Sequence, residues 1–318
     1  MRAMLIRRYG DPDVFELGEI DTPRPGPGEV RVRVRASSVN PIDTYLRSGG
    51  LKLFVRLALP AVLGVDVAGV VDARGEGATK FAEGDRVFAF TGIDRGGGYG
   101  EHAIVPERAL ARIPDALDWA EAGTVPGVGA TAYEAFTVHA PLERGARVFI
   151  NGGAGGVGTY AIQIAKAFGA DVTTTCSAAK AELLTSLGAD HVLDYTKTDP
   201  FAAGRDRFDV VLNGVRGAPM GALRALLRSG GTLVDITGDP LQAVVARVRN
   251  LVSRRRTVTF LLKTDGALLD GVARLIDAGS VRPVVERTYG WDELADAHRR
   301  VETGRVAGKV AVLAPDRG

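Results

Sequence analysis

The stretch VFINGGAGGVGTYAIQIAKAFGADVTTTCS, Val148 to Ser177, sets a glycine cluster between two apolar runs. The run before the cluster reads as a strand and the segment after it as a helix, so the cluster must turn one directly into the other. Gly153, Gly155 and Gly158 satisfy Gly-X-Gly-X-X-Gly in that setting, where the pattern carries a mechanism. The first glycine permits a tight turn, the second leaves room for a pyrophosphate, and the third lets helix and strand pack closely. The helix start adds unpaired N–H groups and about half a positive charge facing an anion. Gly153, Ala154, Gly155, Gly156, Val157 and Gly158 are therefore the candidate phosphate cradle of a dinucleotide. A glycine-rich turn that holds nothing is the plain alternative.

Strands and helices alternate around this motif. RVFIN, DVTTTC, HVLDY, FDVVLNG, GTLVDIT and TVTFLLK are strand-like, and GVGTYAIQIAKAFG, AAKAELLTSLG and PMGALRALLRSG are helical. Such alternation predicts an α/β fold, a doubly wound parallel sheet covered by helices on both faces. The first third differs. EVRVRVRA, Glu29 to Ala36, puts Val30, Val32 and Val34 on one face and Arg31, Arg33 and Arg35 on the other, the period of a half-buried strand. AGVVDA, DRVFAF and EHAIVP follow, punctuated by glycines, and predict a compact antiparallel barrel or sandwich. DWAEAGTVPGVGATAYEAFTVHA is helical with a break around Pro126 and Gly127, and two more helices and the strand GKVAVL close the chain. At roughly 150 residues per domain, 318 residues make about two domains.

Composition narrows the function classes. Hydrophobic residues are 46% and charged residues 25%, the profile of a globular protein with a real core. A net charge of +2 is too small to imply nucleic acid, and the basic run ARVRNLVSRRR, Ala246 to Arg256, reads as a solvated helix end and loop. Cys176 is the single cysteine, so there is no internal disulfide and no cysteine-based zinc site. The apolar stretch at the N-terminus is too short for a signal peptide, and no apolar run approaches the roughly 20 residues of a membrane span. A cytoplasmic protein with a small-molecule substrate, and without a nucleic-acid or membrane partner, is the expectation.

The end of the strand after the glycine loop selects the dinucleotide. An NAD site places Asp or Glu about 20 residues on, to hold the ribose hydroxyls. Here the segment is Thr175, Cys176, Ser177 and Ala178, with Lys180 just beyond. A carboxylate beside a 2′-phosphate would cost about 4 kcal/mol at ~4 Å and an effective dielectric of ~20. Its absence from this segment makes NADPH the expected cofactor, with Ser177 and Lys180 as candidate partners of the phosphate. Lys180 also has a plain reading as a solvated helix lysine.

Taken in order, ASSVNPIDTYLRSG (36–49), LPAVLGVDVAGVV (59–71), FAEGDRVFAF (81–90), GGYGEHAIVP (97–106), GATAYEAF (129–136), INGGAGGVG (150–158) and AGKVAVL (307–313) span almost the whole sequence. In these runs the chain resembles the medium-chain dehydrogenase/reductase superfamily, and within it the zinc-free quinone oxidoreductases, the zeta-crystallin-like group. The resemblance implies a GroES-like catalytic domain built from residues 1–119 and 264–318, with a Rossmann NADP-binding domain, 120–263, inserted between them. It implies an active site in the cleft where the two meet, and a homodimer joined through the last sheet strand, Thr257 to Leu262. It also implies that Asn40 and Tyr45 line the nicotinamide end, that Thr131 contacts the cofactor there, that Tyr195 approaches the 2′-phosphate, and that Phe260 and Leu262 offer backbone groups to the carboxamide. Metal-binding relatives carry a cysteine before the Asp-Thr pair and Gly-His-Glu in the next motif. Here those positions read Asn40-Pro41-Ile42-Asp43 and Gly64-Val65-Asp66, and His102, His139, His191 and His298 are scattered, so no metal is expected. Three departures stand out: GLKLFVRLALP, in which Leu51, Leu53, Phe54 and Leu57 predict a greasier and more helical pocket wall, Asp66, where quinone reductases often have Glu, and Asn213, where an acidic residue is common.

Without a Lewis acid, a quinone or an α,β-unsaturated carbonyl suits hydride transfer best, because conjugation spreads the arriving charge. The protein then has to stabilise an oxyanion, and Asn40, Thr44, Tyr45 and the cofactor's own ribose hydroxyl are the candidate donors. Each residue has a simpler role: Asn40 before Pro41 as a turn residue, Tyr45 as a packing aromatic. Asp43 and Asp66 read as structural acceptors of backbone or arginine hydrogen bonds. Cys176 has no histidine partner that would make it a nucleophile. The alternatives are an enoyl-thioester reductase with Lys52, Arg56 and Arg254–Arg256 as a basic rim, and an NADPH-binding protein without turnover.

Overall fold

The computed structural model describes residues 1–238 and 240–315. The alternating segment Glu29–Val39 is a strand that buries Val30, Val32 and Val34 while Arg33 faces solvent, as a period of two requires. The N-terminal part contains β1 (Arg2–Ile6), β2 (Phe15–Glu19), β3 (Glu29–Val39), α1 (Pro41–Ser48), β4 (Ala61–Val62), β5 (Asp66–Arg74), β6 (Arg86–Phe90), β7 (His102–Pro106), β8 (Leu110–Arg112) and α2 (Trp119–Thr124). After α3 (Pro126–Glu134) come β9 (Arg147–Asn151), α4 (Gly156–Ala167), β10 (Asp171–Cys176), α5 (Ala181–Ser186), β11 (His191–Asp194), β12 (Phe208–Asn213), α6 (Met220–Leu226), β13 (Leu227–Asp235), α7 (Pro240–Asn250) and β14 (Arg256–Thr259). The last elements are α8 (Gly266–Asp277), β15 (Val285–Tyr289), α9 (Leu294–Glu302) and β16 (Lys309–Leu313).

The chain divides into two units: Met1–Ala130 with Lys263–Asp277 and Pro283–Gly318, and Thr131–Leu262 with Ala278–Arg282. The first junction therefore falls after Ala130, within α3, and not at residue 119. The reason lies in α2, where Gly123 packs so closely on β3 that a Cβ would come within 2.8 Å of Ala36 Cβ and the Ser37 carbonyl.

In the first unit a seven-stranded sheet runs β15-β16-β3-β5-β6-β8, with β7 also on β3, and a three-stranded sheet runs β2-β1-β4. All pairs are antiparallel except β15 with β16. Val30, Val32, Val67, Val71, Phe81, Val87 and Leu110 form its core. β16 lies against β3 with Val310 opposite Val39, which brings Lys309 to the start of α1. α1 stops at Gly49, whose φ of +79° is left-handed and suits glycine. Turns follow over 49–54 and irregular chain over 55–58, so the helix expected from GLKLFVRLALP does not form. Leu53 and Phe54 stand 88% and 76% exposed there.

The second unit is a six-stranded parallel sheet, β11-β10-β9-β12-β13-β14, as the alternation predicts. Phe149, Phe208, Val211, Leu223, Leu226 and Leu233 pack together against it. β14 is an edge strand, and it ends at Thr259, not Leu262. Thr259 pairs with Asp235, the last residue of β13, so no ladder partner remains for Phe260 and Leu262. Among the described residues, no helix is long and apolar enough to cross a membrane.

Candidate functional site

In the second unit β9 ends at Asn151, and Gly152 turns the chain with φ +90°. The left-handed turn thus belongs to Gly152, not to Gly153 as the fingerprint suggests. Gly153 is required for space: a Cβ would lie 2.0 Å from Thr174 Oγ1. Gly158, inside α4, is required for the same reason, with Gly152 O only 2.3 Å from a Cβ. Gly155, the N-cap of α4, differs. Its Cβ would meet nothing closer than Gly152 O at 3.6 Å, and no side chain caps the helix. The first N–H groups of α4 have no intrahelical acceptor, and beside them is a position where a side chain would fit the protein.

Behind the loop a chain of buried polar side chains crosses the carboxyl ends of four neighbouring strands. Thr175 Oγ1 accepts the Gly152 N–H at 3.0 Å and donates to Asn151 Oδ1 at 3.0 Å. Asn151 Nδ2 donates to Asn213 Oδ1 at 2.9 Å, and Asn213 Nδ2 donates to Asp235 Oδ1 at 2.8 Å. This accounts for Asn213: an ionised acid there would face Asp235 with no hydrogen to give. The sequence carried a signal for three of the four, a polar residue closing β9, β12 and β13.

At the far end of β10, Ser177 is half-buried and Lys180 follows in a short 3₁₀ turn. β11 places Asp194 opposite Cys176, so a carboxylate does stand at this end of the sheet, one strand over from segment 175–178. It is engaged locally: Asp194 Oδ1 accepts from the Thr196 N–H at 3.0 Å and Thr196 Oγ1 at 2.7 Å, and Lys197 Nζ lies 3.9 Å from Oδ2. Burial, with Asp194 adding to it, pushes the Cys176 thiol up, the wrong direction for a nucleophile. Tyr195 is exposed, and Thr131 and Leu262 are half-buried. The Phe260 ring packs on His139 with centroids 4.3 Å apart.

In the first unit Asn40 caps α1 with Pro41 at N1. Asp43 reaches back to the Asn40 N–H at 2.9 Å, and its other oxygen accepts the Val65 N–H at 3.1 Å. The Asn40 side chain serves elsewhere. Its Nδ2 donates to Asp66 Oδ2 at 2.8 Å, and its Oδ1 accepts from Lys309 Nζ at 2.7 Å. Asp66 also accepts from Ser38 Oγ at 2.6 Å and from the Gly127 N–H at 2.7 Å. Lys309 Nζ donates to Val39 O at 3.0 Å and stands 3.7 Å from Asp66 Oδ2. All five of these polar side chains are buried. The two aspartates are structural acceptors, but their cationic neighbour is a lysine, not an arginine. Burial pushes the Asp43 carboxyl up to about 7, against the hydrogen bond from Asn40 and with help from the Asp66 charge. Burial pulls Lys309 down, and both aspartates oppose that.

The Thr44 hydroxyl donates to Pro41 O at 2.8 Å, inside α1. Tyr45, the next residue, is half-buried. Sequence reasoning missed Lys309, although a lysine opening the apolar run VAVL was visible. Lys52 and Arg56 line one cavity of about 530 Å³ together with Tyr9, Leu53, Leu57 and Leu59. Among the described residues, no three His, Cys, Asp or Glu side chains group as a metal site.

Residues 26–115 match the alcohol dehydrogenase GroES-like domain, and residues 187–312 match the zinc-binding dehydrogenase family. A chloroplast envelope quinone oxidoreductase homolog of Arabidopsis thaliana is 32% identical over 98% of each chain. A 2-methylene-furan-3-one reductase of Solanum lycopersicum is 35% identical, over 98% of this chain and 79% of its own. A mycobacterial protein solved in complex with NADPH superposes with a TM-score of 0.83 at 29% identity, covering 98% of this chain and 100% of its own.

Proposed function

This oxidoreductase belongs to the medium-chain dehydrogenase/reductase superfamily, with quinone oxidoreductases among its homologues, and from that premise we propose an NADPH-dependent reductase of quinones or α,β-unsaturated carbonyls that uses no metal. The observation that carries the proposal is the Asn40 amide, held between Asp66 and Lys309 at the position where metal-binding relatives have a ligand. An amide able to donate a hydrogen bond takes the place of that ligand, which supports a reaction without a Lewis acid. Bound reduced nicotinamide supplies the hydride. The backbone N–H groups around Gly155 donate to the pyrophosphate oxygens, and Asn40 and Tyr45 donate to the acceptor oxygen as it becomes negative. The proposal includes a cytoplasmic setting and a homodimer along the free edge of β14.

Removing one oxyanion donor costs roughly 100-fold in turnover or more. Asn40→Ala is therefore expected to lower kcat about 100-fold and Tyr45→Phe about tenfold, each with the NADPH dissociation constant within about twofold of wild type. Loss of NADPH absorbance with a small quinone panel measures this. Turnover within twofold of wild type in both variants would remove the assignment.

NADPH is expected to bind at least about tenfold more tightly than NADH, since Ser177 and Lys180 offer charge-assisted hydrogen bonds of roughly 1.5–3 kcal/mol each. The Asp194 carboxylate is the opposing feature, held back by its bonds to Thr196. Fluorescence titration with the two dinucleotides decides, and equal affinity rules out the preference.

A second reading has one observation in its favour. Lys52 and Arg56 flank an apolar cavity, as an anionic carrier attached to an acyl chain would require. An enoyl thioester belongs in the same absorbance assay. Turnover confined to it would replace the quinone, and tight NADPH binding with no turnover at all would leave a binding protein.

A further inference from the structure

We propose that Lys309 is a positioning residue for the reduction: together with Asp66 it holds the Asn40 amide in one orientation, with an N–H left for the acceptor oxygen. This rests on the assignment of Asn40 as an oxyanion donor made above. An asparagine amide can rotate by half a turn and exchange oxygen for nitrogen at little steric cost, so its donor direction must be fixed by its neighbours. Here Oδ1 sits 2.7 Å from the Lys309 ammonium and Nδ2 sits 2.8 Å from the Asp66 carboxylate. Half a turn would set the NH2 group against a cation and the carbonyl against an anion, in a buried place where such mismatches cost most.

The distances show what the pair is for. Lys309 Nζ and Asp66 Oδ2 are 3.7 Å apart, farther from each other than either is from the amide between them. Asn40 bridges the two charges. Both ends are themselves anchored: Asp66 by Ser38 Oγ and the Gly127 N–H, Lys309 by Val39 O. A buried ion pair gives little net stability over an apolar replacement, so stability alone does not call for one here. One Nδ2 hydrogen is used by Asp66. The clamp directs the other, and the ammonium on Oδ1 polarises it.

Lys309→Met alone leaves the Asp66 charge buried without its counter-ion and invites unfolding, so the decisive variant is Asp66→Asn/Lys309→Met, which removes both charges. It is expected to keep NADPH affinity within twofold and to lose at least tenfold in kcat with a small quinone. Lys309→Arg, which keeps the charge and the donors, should retain more turnover than Asn40→Ala, and it carries the test if the double variant unfolds: a folded Lys309→Arg that loses as much as Asn40→Ala overturns the proposal. The second readout is the ¹⁵N-correlated NH2 resonance pair of Asn40, assigned by its loss in Asn40→Ala. Wild type should give two resolved, exchange-protected signals, and the double variant a broadened or unprotected pair. A double variant within twofold of wild-type turnover, beside an Asn40→Ala that loses tenfold, overturns the proposal. If Asn40→Ala keeps its turnover, the donor assignment fails instead. The resonances then decide whether Lys309 orients the amide, and an unchanged pair in the double variant overturns it.

Discussion

Gly158→Ala is expected to destabilise the second unit by about 3 kcal/mol, the upper range for overpacking a filled site. In an ordinary helix interior the same change would stabilise by about 1 kcal/mol, so even the sign reports the local geometry. The new Cβ would lie 2.3 Å from Gly152 O and 2.7 Å from the carbonyl carbon and Cα of Gly153. All three are backbone atoms of the tight turn, and none can rotate aside. Gly155→Val makes the contrast. Gly155 has an ordinary φ of −77° and open space at its Cβ, so stability should change by no more than about 1 kcal/mol, the scale of an N-cap substitution. The side chain would occupy the cradle, and NADPH affinity should fall at least tenfold. Urea unfolding and dinucleotide titration of both variants separate the two roles. A fully stable Gly158→Ala would mean the turn is built differently, and a Gly155→Val that binds NADPH as wild type does would place the phosphate elsewhere.

The same loop shows how far residue patterns reach. The spacing of Gly153, Gly155 and Gly158 marks the strand-to-helix turn because all three positions are constrained locally. It does not mark Gly152 as the residue with positive φ, because adjacent glycines look alike in a string. The valines of β3 reveal their buried face because period two is intrinsic to a strand. Apolar content at Leu51–Leu57 suggests a packed helical face, whereas Gly49 and Gly50 end α1 and leave Leu53 and Phe54 in solvent. Lys309 and Asp194 share a different cause. Each acts on residues far away in sequence, through the pairing of β16 with β3 and of β11 with β10, and register between strands is not written in either segment alone. The site was therefore visible where its chemistry is local, at the glycine loop and Asn40, and hidden where it depends on tertiary contacts.

His298→Phe is expected to remove about one proton's worth of acid sensitivity, on the order of 4 kcal/mol between neutral pH and pH 3. His298 is fully buried, with its ring against Phe15 and Tyr99. Tyr99 Oη lies 3.2 Å from Ser38 O and 3.2 Å from His298 Nε2. The carbonyl only accepts, so both bonds form when Tyr99 donates to Ser38 and Nε2–H donates to Tyr99. That leaves Nδ1 unprotonated, and among the described residues it has no hydrogen-bond partner. A second proton would lack an acceptor and would add charge near the buried Arg47 guanidinium. Burial first, and Arg47 second, hold His298 down to about 3. An unfolded histidine titrates near 6.5, so between about 3 and 6.5 the unfolded chain binds the extra proton, and stability from this residue falls as the pH drops. Asp43 has the opposite sign. Its folded value of about 7 lies above the unfolded aspartate value, so its contribution is largest in acid and is lost as the pH rises toward 7. The two slopes oppose each other from about pH 4 to 6.5, and His102, also held down by burial, adds to the His298 side. His298→Phe removes one slope and leaves the others: Tyr99 keeps its bond to Ser38 and the ring volume is nearly kept, so the difference between the two proteins isolates His298. Urea unfolding of both proteins at several pH values should therefore show their difference changing by about 1.4 kcal/mol per pH unit across that window. A difference independent of pH would mean that His298 titrates alike in both states and is not the buried neutral ring described.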